Sequence, residues 1–358
     1  MKATSAVFRS FFSGHSPRDV PAFAFKIRSL TILLSPTSKD EKPSSNSNNA
    51  VLGHWVLVSR DLHHLRELAF LGTSVQSDAR DLLVDLPPEA RLRRFFCEDD
   101  SLLQDSSRSL LKHRETLGEF GGFFDTETFS PDMTPDTFLR TFRSVHTLDV
   151  GMRFIEQVKL AGSITNLSVR LEWPRMSSVV CHLCRTFGTQ VRALRIERSA
   201  VVSGGWALVG DTWVPGPESP MLLCAYLDMP ALRYLEVRDT APPAAPEVQQ
   251  EGIRPPGPSA WSFGDSTWME SSDYDGVQNL DRLAWRPAWA AKGGEHRDCA
   301  DAFVRMAGDM LPVLTVWMSL EERTSGVWDT WTRIDEDFPL ERKCVWDAVK
   351  EDSWKRMV

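Results

Sequence analysis

Two cysteines and a histidine lie close together at Cys181, His182 and Cys184, a spacing that could hold zinc or support thiol–disulfide exchange. No second pair of ligands lies at the spacing of a zinc site. Cys184 also falls beside Val180 and Leu183 on the apolar face of a predicted helix. We therefore interpret these cysteines as packing residues, since free cysteine is usually buried and inert. The sequence predicts no metal and no other cofactor.

Catalytic patterns are also missing from the sequence. Neither the phosphate-binding pattern G-x-x-x-x-G-K nor the nucleophile pattern G-x-S-x-G occurs. The acidic runs at 98–100 and 335–337 fall where solvated turns are expected. We therefore expect a protein that is not an enzyme.

Composition indicates a globular chain of ordinary polarity. Of 358 residues, 42% are hydrophobic and 25% charged, and the formal net charge is −8. Without a block of Lys and Arg, a nucleic-acid partner is not expected. No apolar run approaches the ~20 residues that a membrane-spanning helix needs, so we expect no membrane association.

The cysteines and the N-terminal segment bear on the compartment. Six scattered cysteines without a secretory signal predict reduced thiols, as in the cytoplasm or nucleus. Residues 1–18 carry Lys2, Arg9 and Arg18 but no acid, which is also typical of a mitochondrial presequence. The interpretation we favour is a short helix over residues 6–12 that packs on the first repeat.

A six-residue pattern, apolar-x-x-apolar-x-apolar, recurs along the chain, often 25–28 residues apart. The ten copies begin at Ile27, Leu65, Leu92, Leu117, Val145, Ile164, Val191, Leu232, Leu280 and Leu311. The end of each copy alternates as a β-strand does. Helical patterns fill several gaps, as in residues 102–113, 134–142, 179–187 and 221–227. Thr134 should cap the second of these helices, and Pro135 suits its first turn. Strand and helix in alternation predict an α/β solenoid of leucine-rich-repeat type, with a parallel sheet on the concave face and helices on the convex face.

The segments IRSLTILL (27–34), LHHLRELAFLG (62–72), VHTLDV (145–150), SITNLSVRLEWPRMSSVVCHLC (163–184) and MPALRYLEVRD (229–239) carry a family resemblance. They resemble the leucine-rich-repeat regions of F-box-like proteins of mushroom-forming fungi. This resemblance implies a protein-recognition scaffold that selects substrates for ubiquitination.

Members of that family often begin with an F-box, the helical module that binds the cullin-linking adaptor. Leu86-Pro87-Pro88-Glu89 could open such a module, but residues 92–97 match the strand pattern and a strand copy already precedes them. We interpret the match as accidental. With no recognisable F-box in this chain, the cullin-linking adaptor is a doubtful partner.

The predicted organisation has three parts. Residues 1–19 form an N-terminal helical cap or tail, residues 20–345 the solenoid, and residues 328–358 a closing strand (328–335) and helix (343–357). Three insertions, 35–49, 199–220 and 240–277, interrupt the repeats. The second should contain a small hairpin with Trp206 and Trp213.

The outward side chains of the later strands form the candidate binding face. They include Arg170, Arg195, Glu197, Tyr234, Glu236, Arg238, Arg282, Arg286 and Trp317. Equal positions are neighbours in a parallel stack, so Arg195 should lie beside Glu236, and Glu197 between Arg170 and Arg238. For Arg282, Arg286 and Trp317 we expect no acidic neighbour. Such a face could be an exposed ladder of charges that neutralise one another, or a surface that binds an unknown protein partner. A repeat protein without a dedicated ligand, and an enzyme that uses the insertion loops, are the alternatives to a recognition scaffold.

Overall fold

A computed structural model describes residues 2–4, 26–33, 62–72, 83–124, 129, 133–171, 176–199, 206–209, 212–215, 220–240, 271–286, 295–318, 329–333 and 340–343. The chain divides into two compact units, Met1–Ile164 and Thr165–Val358. Both are α/β units with a mainly parallel sheet. The helix predicted at 6–12, the insertion at 35–49 and most of the insertion at 240–277 lie outside the described residues.

The first unit contains six parallel strands that pair in chain order. They are β1 (Lys2–Thr4), β2 (Ser29–Leu33), β3 (Glu67–Leu71), β4 (Arg94–Cys97), β5 (Glu119–Gly122) and β6 (Thr147–Gly151). Strands β2 to β6 coincide with the first five copies of the repeat, so this part of the prediction is confirmed. Strand β1, which pairs with β2, was not predicted. The segment that follows Leu86-Pro87-Pro88-Glu89 leads into β4, as the strand interpretation requires.

Among the described residues of the first unit, α1 (Asp100–Leu110) connects β4 to β5, α2 (Pro135–Thr141) connects β5 to β6, and α3 (Met152–Gln157) follows β6. A 3₁₀ turn, Leu111–His113, continues from α1. Asp99 caps α1 by accepting hydrogen bonds from the backbone N–H groups of Ser101 and Leu102. The predicted cap of α2 is confirmed, because the Thr134 side chain accepts from the Thr137 N–H and Pro135 occupies the first turn.

Phenylalanine rings form much of the core of the first unit. Phe95 on β4 and Phe120 on β5 stack with their centroids 6.1 Å apart, and Phe138 of α2 approaches Phe120 at 4.4 Å. Phe123 and Phe154 stack at 5.6 Å. The last apolar positions of the repeat therefore face the helices, as strand alternation dictates.

The chain leaves β5 through an unusual backbone conformation at Phe123, whose φ of 60° lies in the left-handed region. The Phe123 carbonyl accepts a hydrogen bond from the Gly151 N–H at 3.1 Å. A side chain at Gly151 would overlap the carbonyl oxygens of Phe123 and Phe124. Gly151 is thus required for this close approach of two backbone segments.

The second unit carries the last five copies of the repeat on five parallel strands. They are β7 (Asn166–Leu171), β8 (Ala193–Ser199), β11 (Tyr234–Thr240), β12 (Arg282–Arg286) and β13 (Thr315–Met318). Strands β14 (Asp329–Thr332) and β15 (Glu341–Lys343) extend the sheet in antiparallel orientation. Strands β9 (Trp206–Val209) and β10 (Thr212–Pro215) form the separate hairpin that was predicted.

Three helices belong to the second unit: α4 (Met176–Phe187), α5 (Pro220–Tyr226) and α6 (Glu295–Met310). A 3₁₀ helix, Ser271–Val277, closes the third insertion. Phe303 of α6 packs on Trp285 of β12, with the ring centroids 4.8 Å apart. This contact lies on the apolar face of the sheet, whose side chains are nearly all inaccessible. They are Leu167, Val169, Leu194, Ile196, Leu235, Val237, Leu283, Trp285, Val316, Met318 and Trp331.

Two predictions near the end of the chain were wrong in detail. The tenth copy begins at Val313 instead of Leu311, because Thr315 pairs with Arg282 and Val316 with Leu283. Val313-x-x-Val316-x-Met318 fits the same pattern, and all three side chains are fully buried. The closing helix was predicted to start at Lys343, but Lys343 ends strand β15. The rest of that predicted helix lies outside the described residues.

Candidate functional site

The side of the second unit's sheet opposite the apolar face carries the candidate site, and we call it the polar face. It comprises Asn166, Ser168, Arg170, Ala193, Arg195, Glu197, Tyr234, Glu236, Arg238, Arg282, Ala284, Arg286, Thr315, Trp317, Thr330 and Thr332. Strand pairing sets these residues in three rows across the sheet. The predicted order of neighbours is confirmed for β7, β8, β11 and β12.

Glu236 is the centre of the polar face. Its carboxylate is completely buried, yet it accepts hydrogen bonds from two arginines. Arg195 Nε donates to Oε2 at 3.0 Å from the neighbouring strand, and Arg238 Nε donates to Oε1 from the same strand. The Tyr234 hydroxyl also donates to Oε2 at 3.0 Å. Four side chains thus form one buried hydrogen-bonded cluster, which we call the Glu236 cluster.

Opposing effects act on the pKa of Glu236. Burial alone would raise the pKa of this carboxyl, but Arg195 and Arg238 outweigh burial and lower it below its usual value. Burial and the adjacent Glu236 carboxylate raise the pKa of the Tyr234 phenol well above its usual value. At neutral pH the cluster therefore contains one carboxylate, two guanidinium groups and a neutral phenol.

A second set of charges lies at the carboxyl ends of the strands. Glu197 lies between Arg170, at 3.4 Å, and Arg238, at 4.0 Å. The Arg170 and Glu197 side chains are 39% and 24% exposed, so this pair is accessible to solvent, unlike the Glu236 cluster. The prediction of an exposed ladder was therefore wrong for Arg195, Tyr234, Glu236 and Arg238, which are buried. Long aromatic and guanidinium side chains that lie side by side can shield one another from water. The alternation of apolar and polar residues along a strand does not predict this burial.

The remaining predicted residues lie toward β12 and β13. Arg282 was expected to have no acidic neighbour, but its Nε lies 3.8 Å from Asp281 Oδ1. Asp281 precedes the strand, and the prediction considered only neighbours within strands. Trp317 lies beside Ala284 in the sheet, and its ring packs near Tyr234 at 6.2 Å. Arg286 pairs in register with Arg238 at the carboxyl end of β12. The structure thus joins Arg170, Arg195, Glu197, Tyr234, Glu236 and Arg238 by polar contacts, and Trp317 joins them through Tyr234.

Three hydroxyl groups on the polar face were not singled out from the sequence. Ser168 Oγ, Thr330 Oγ1 and Thr332 Oγ1 are buried atoms without a hydrogen-bond partner among the residues that the structure describes. Ser168 lies in the same row as Arg195 and Glu236, while Thr330 and Thr332 pair with Trp317 and Thr315. Buried hydroxyl groups usually find a partner, so these three are exceptions that sequence alone gives no means of finding.

No protein-family model matches the sequence, and no curated protein matches it significantly. The chemistry of the polar face is therefore inferred from its own residues. Paired guanidinium and carboxylate groups at 3–4 Å fix one another in place through charge-assisted hydrogen bonds.

The cysteine pair of the sequence analysis lies on α4. Cys181 is exposed, and Cys184 is half-buried, where its Sγ accepts from the Asp228 N–H at 3.2 Å. Burial raises the pKa of the Cys184 thiol, so the thiolate that metal binding needs is disfavoured. In the part of the chain that the structure describes, no group of three His, Cys, Asp or Glu side chains is placed to bind a metal ion. Among the described helices, none is long and apolar enough to cross a membrane.

Proposed function

We propose that this protein is a non-catalytic scaffold for protein recognition, built as a leucine-rich-repeat-like solenoid with the polar face on its concave side. The observation that carries this proposal is the register of the polar face, which aligns Arg, Glu, Tyr and Trp side chains across neighbouring parallel strands. Arg, Tyr and Trp are the side chains that most often dominate the binding energy of protein interfaces.

The burial of the Glu236 cluster supports this role. Side chains that are already held in one conformation lose little conformational entropy when a ligand binds. Arg195, Tyr234 and Arg238 are held in this way by Glu236. Arg170 and Arg282, whose side chains are 39% and 38% exposed, then present charge to a partner from either side of a rigid centre.

The resemblance to F-box-like proteins suggests the setting, which is substrate selection for ubiquitination in the cytoplasm or nucleus. Residues 94–97 form a strand of the sheet, so we do not assign an F-box to the segment that begins at Leu86. A pull-down with the purified cullin-linking adaptor tests this part separately. We expect the repeats not to bind the adaptor. Adaptor binding that persists after deletion of residues 1–25 would contradict this expectation.

The recognition role is tested by affinity capture with the full chain as bait, followed by direct titration of the captured protein after its purification. We expect Arg286→Glu and Trp317→Ala to weaken binding about tenfold each, which is the scale of an interface anchor. Arg185→Glu, an exposed charge reversal on α4, is the matched control and should leave binding unchanged. Circular dichroism and thermal melting verify that each variant is folded.

A second candidate is a repeat protein without a dedicated ligand, favoured by one observation. The Glu236 carboxylate is hydrogen-bonded by Arg195, Arg238 and Tyr234 within its own sheet, as in a purely structural feature. In that case no protein would be enriched over a bait-free control, and Trp317→Ala would change stability alone. Enrichment of one partner, lost in both face variants, would exclude this candidate.

A further inference from the structure

Arginine recurs at one position of the repeat in its first three copies. In each copy it follows the first apolar residue of the pattern, and the three arginines are Arg28, Arg66 and Arg93. In the third copy a further arginine, Arg91, precedes that apolar residue. All four residues lie in the first unit. We call Arg28, Arg66, Arg91 and Arg93 the arginine cluster.

Strand pairing brings the arginine cluster together at the amino ends of β2, β3 and β4. The Arg66 N–H donates to the Arg28 carbonyl oxygen at 2.8 Å, and the Arg93 N–H donates to the Arg66 carbonyl oxygen at 2.7 Å. Three arginines therefore occupy equivalent positions on adjacent strands, which lie ~4.8 Å apart in a sheet. Arg28, Arg91 and Arg93 are exposed, whereas Arg66, in the middle of the row, is half-buried.

The positive charge of the cluster converges on Arg66. Burial lowers the pKa of the Arg66 guanidinium, and the charges of Arg93, Arg91 and Arg28 lower it further. The Arg66 Nη1 donates to a neutral group, the Leu65 carbonyl oxygen, at 3.1 Å. A guanidinium group stays protonated at neutral pH, so the cluster keeps four like charges close together.

Nearby carboxylates do not neutralise the cluster by direct contact. Glu67 follows Arg66 and begins β3, and Glu89 lies 3.3 Å from His63. In the part of the chain that the structure describes, none of the four arginines forms an ion pair with a carboxylate. Like charges on neighbouring side chains repel one another, so an anion bound among them would relieve a cost that the folded protein already carries.

A compact anion with more than one charge fits this arrangement. A phosphomonoester carries a charge of about −1.5 to −2 at pH 7 and three acceptor oxygens. A guanidinium group donates through a planar fork that matches such oxygens, so several arginines can bind one phosphoryl group. A carboxylate offers a single charge and two oxygens. A nucleic acid requires a longer positive stripe, but the equivalent residues before β5 and β6 are Gly118 and His146.

We propose that the arginine cluster binds a dianionic phosphoryl group, with Arg66 at the centre of the site. Arg28 and Arg93 donate to its oxygens from the adjacent strands, and Arg91 adds a fourth charge. The phosphoryl group belongs either to a small molecule or to a phosphorylated side chain, because both present the same oxygens. The site lies in the first unit and does not depend on the polar face, so it goes beyond the recognition role proposed above.

Isothermal titration calorimetry of the full chain tests this site, at an ionic strength kept constant with sodium chloride. The probes are phenyl phosphate and its methyl diester, which differ by one negative charge and by one terminal oxygen. We expect phenyl phosphate to bind saturably and the diester to bind about tenfold more weakly. Equal affinities for the two probes, or the lack of saturable binding of phenyl phosphate, would overturn the proposal.

Substitutions of equal chemistry assign the binding to the cluster. Arg66→Gln and Arg93→Gln should each weaken the binding of phenyl phosphate about tenfold, because each removes charge-assisted hydrogen bonds. Arg140→Gln, which removes an exposed arginine of α2, is the matched control and should change the affinity less than about twofold. Circular dichroism verifies that each variant is folded, and the exposed Arg93 provides the test if Arg66→Gln does not fold. An equal loss in all three variants would overturn the assignment to the cluster.

Phosphoserine peptides with random flanking residues distinguish the two sources of the phosphoryl group. A peptide that binds about tenfold more tightly than inorganic phosphate would assign the group to a protein side chain, and equal affinities would assign it to a small molecule. Either result supports the site. A single-stranded oligonucleotide without a terminal phosphate that binds more tightly than phenyl phosphate, and loses its binding in Arg66→Gln, would identify a nucleic-acid site and overturn the proposal.

Discussion

Arg195 Nε donates to Glu236 Oε2 at 3.0 Å, although the two residues are 41 positions apart in the sequence. The contact follows from strand register, since Arg195 and Glu236 are direct partners on β8 and β11. Both side chains are buried, so their pairing replaces the water that each charge loses on folding. Each of the two residues can therefore be buried in its charged form because the other is present.

We predict that Glu236→Gln destabilises the second unit by about 3 kcal/mol, because it removes the carboxylate to which two buried guanidinium groups donate. Urea denaturation, monitored by tryptophan fluorescence, measures this change in the free energy of unfolding. Glu197→Gln is the matched control, since Glu197 is 24% exposed and its ion pairs should contribute less than about 1 kcal/mol. Equal losses in the two variants would show that burial does not determine the contribution of the Glu236 cluster.

The same cluster should make stability depend on pH in the acidic range. The pKa of Glu236 is lowered in the folded protein, so its contribution is fully present above the pKa of an unfolded glutamate and is lost as pH falls from that value through the lower pKa of the folded state. We expect the urea midpoint of the wild type to fall more steeply below about pH 4.5 than that of Glu236→Gln. Parallel curves for the two proteins would contradict the lowered pKa.

His113 gives a second pH dependence, in a higher range. Its imidazole is buried, and burial and the neighbouring Lys112 lower its pKa to about 4. The unfolded chain therefore takes up the proton first as pH falls, and up to about 3 kcal/mol of stability is lost between about pH 6.5 and 4. We expect His113→Phe to lose less stability than the wild type over this interval. Equal losses in the two proteins would show that His113 does not cause this pH dependence.

The close approach at Gly151 predicts a steric effect. Gly151→Ala should destabilise the first unit by about 2 kcal/mol or more, since its methyl group meets two carbonyl oxygens in a rigid segment. Gly162 has a φ of +62° and open space around it, so Gly162→Ala should cost only the left-handed strain of about 1 kcal/mol. Thermal melting compares the two, and a larger loss for Gly162→Ala would refute the clash.

Removing the hydroxyl of Ser168 should have the opposite effect on stability. Ser168→Ala should be neutral or stabilising, because it removes a buried polar group that has no partner among the described residues. Ser163 Oγ lies 2.6 Å from the Val145 carbonyl oxygen and 2.8 Å from that of Arg143. Ser163→Ala should therefore cost about 1 kcal/mol. A clear loss in Ser168→Ala would show that this hydroxyl is satisfied in solution by a bound group.

The strands were predictable because each copy of the repeat combines two signals that agree. Leu194 and Ile196 alternate with Ala193 and Arg195, and the same phase recurs at Leu235 and Val237, so period and spacing both fix the register. The tenth copy failed because Leu311 and Val313 both start a valid match, and only pairing with β12 decides between them.

Burial on the polar face could not be predicted in the same way. Alternation assigns Tyr234 and Glu236 to the outward side of the sheet. It does not predict that long neighbouring side chains bury them there. Strands β1 and β15 are three residues long, too short for any periodic signal to distinguish from a loop.

The reversal of strand direction between β13 and β14 limits where further repeats can be added by gene duplication. A parallel repeat copied behind β13 would need the hydrogen-bonding edge that β14 already occupies in the opposite sense. Tandem duplication at that point would therefore have to expel β14 and β15 before the new copy could fold, whereas duplication between β8 and β13 would preserve every existing pairing direction. Lengthening during evolution is thus expected from internal copies.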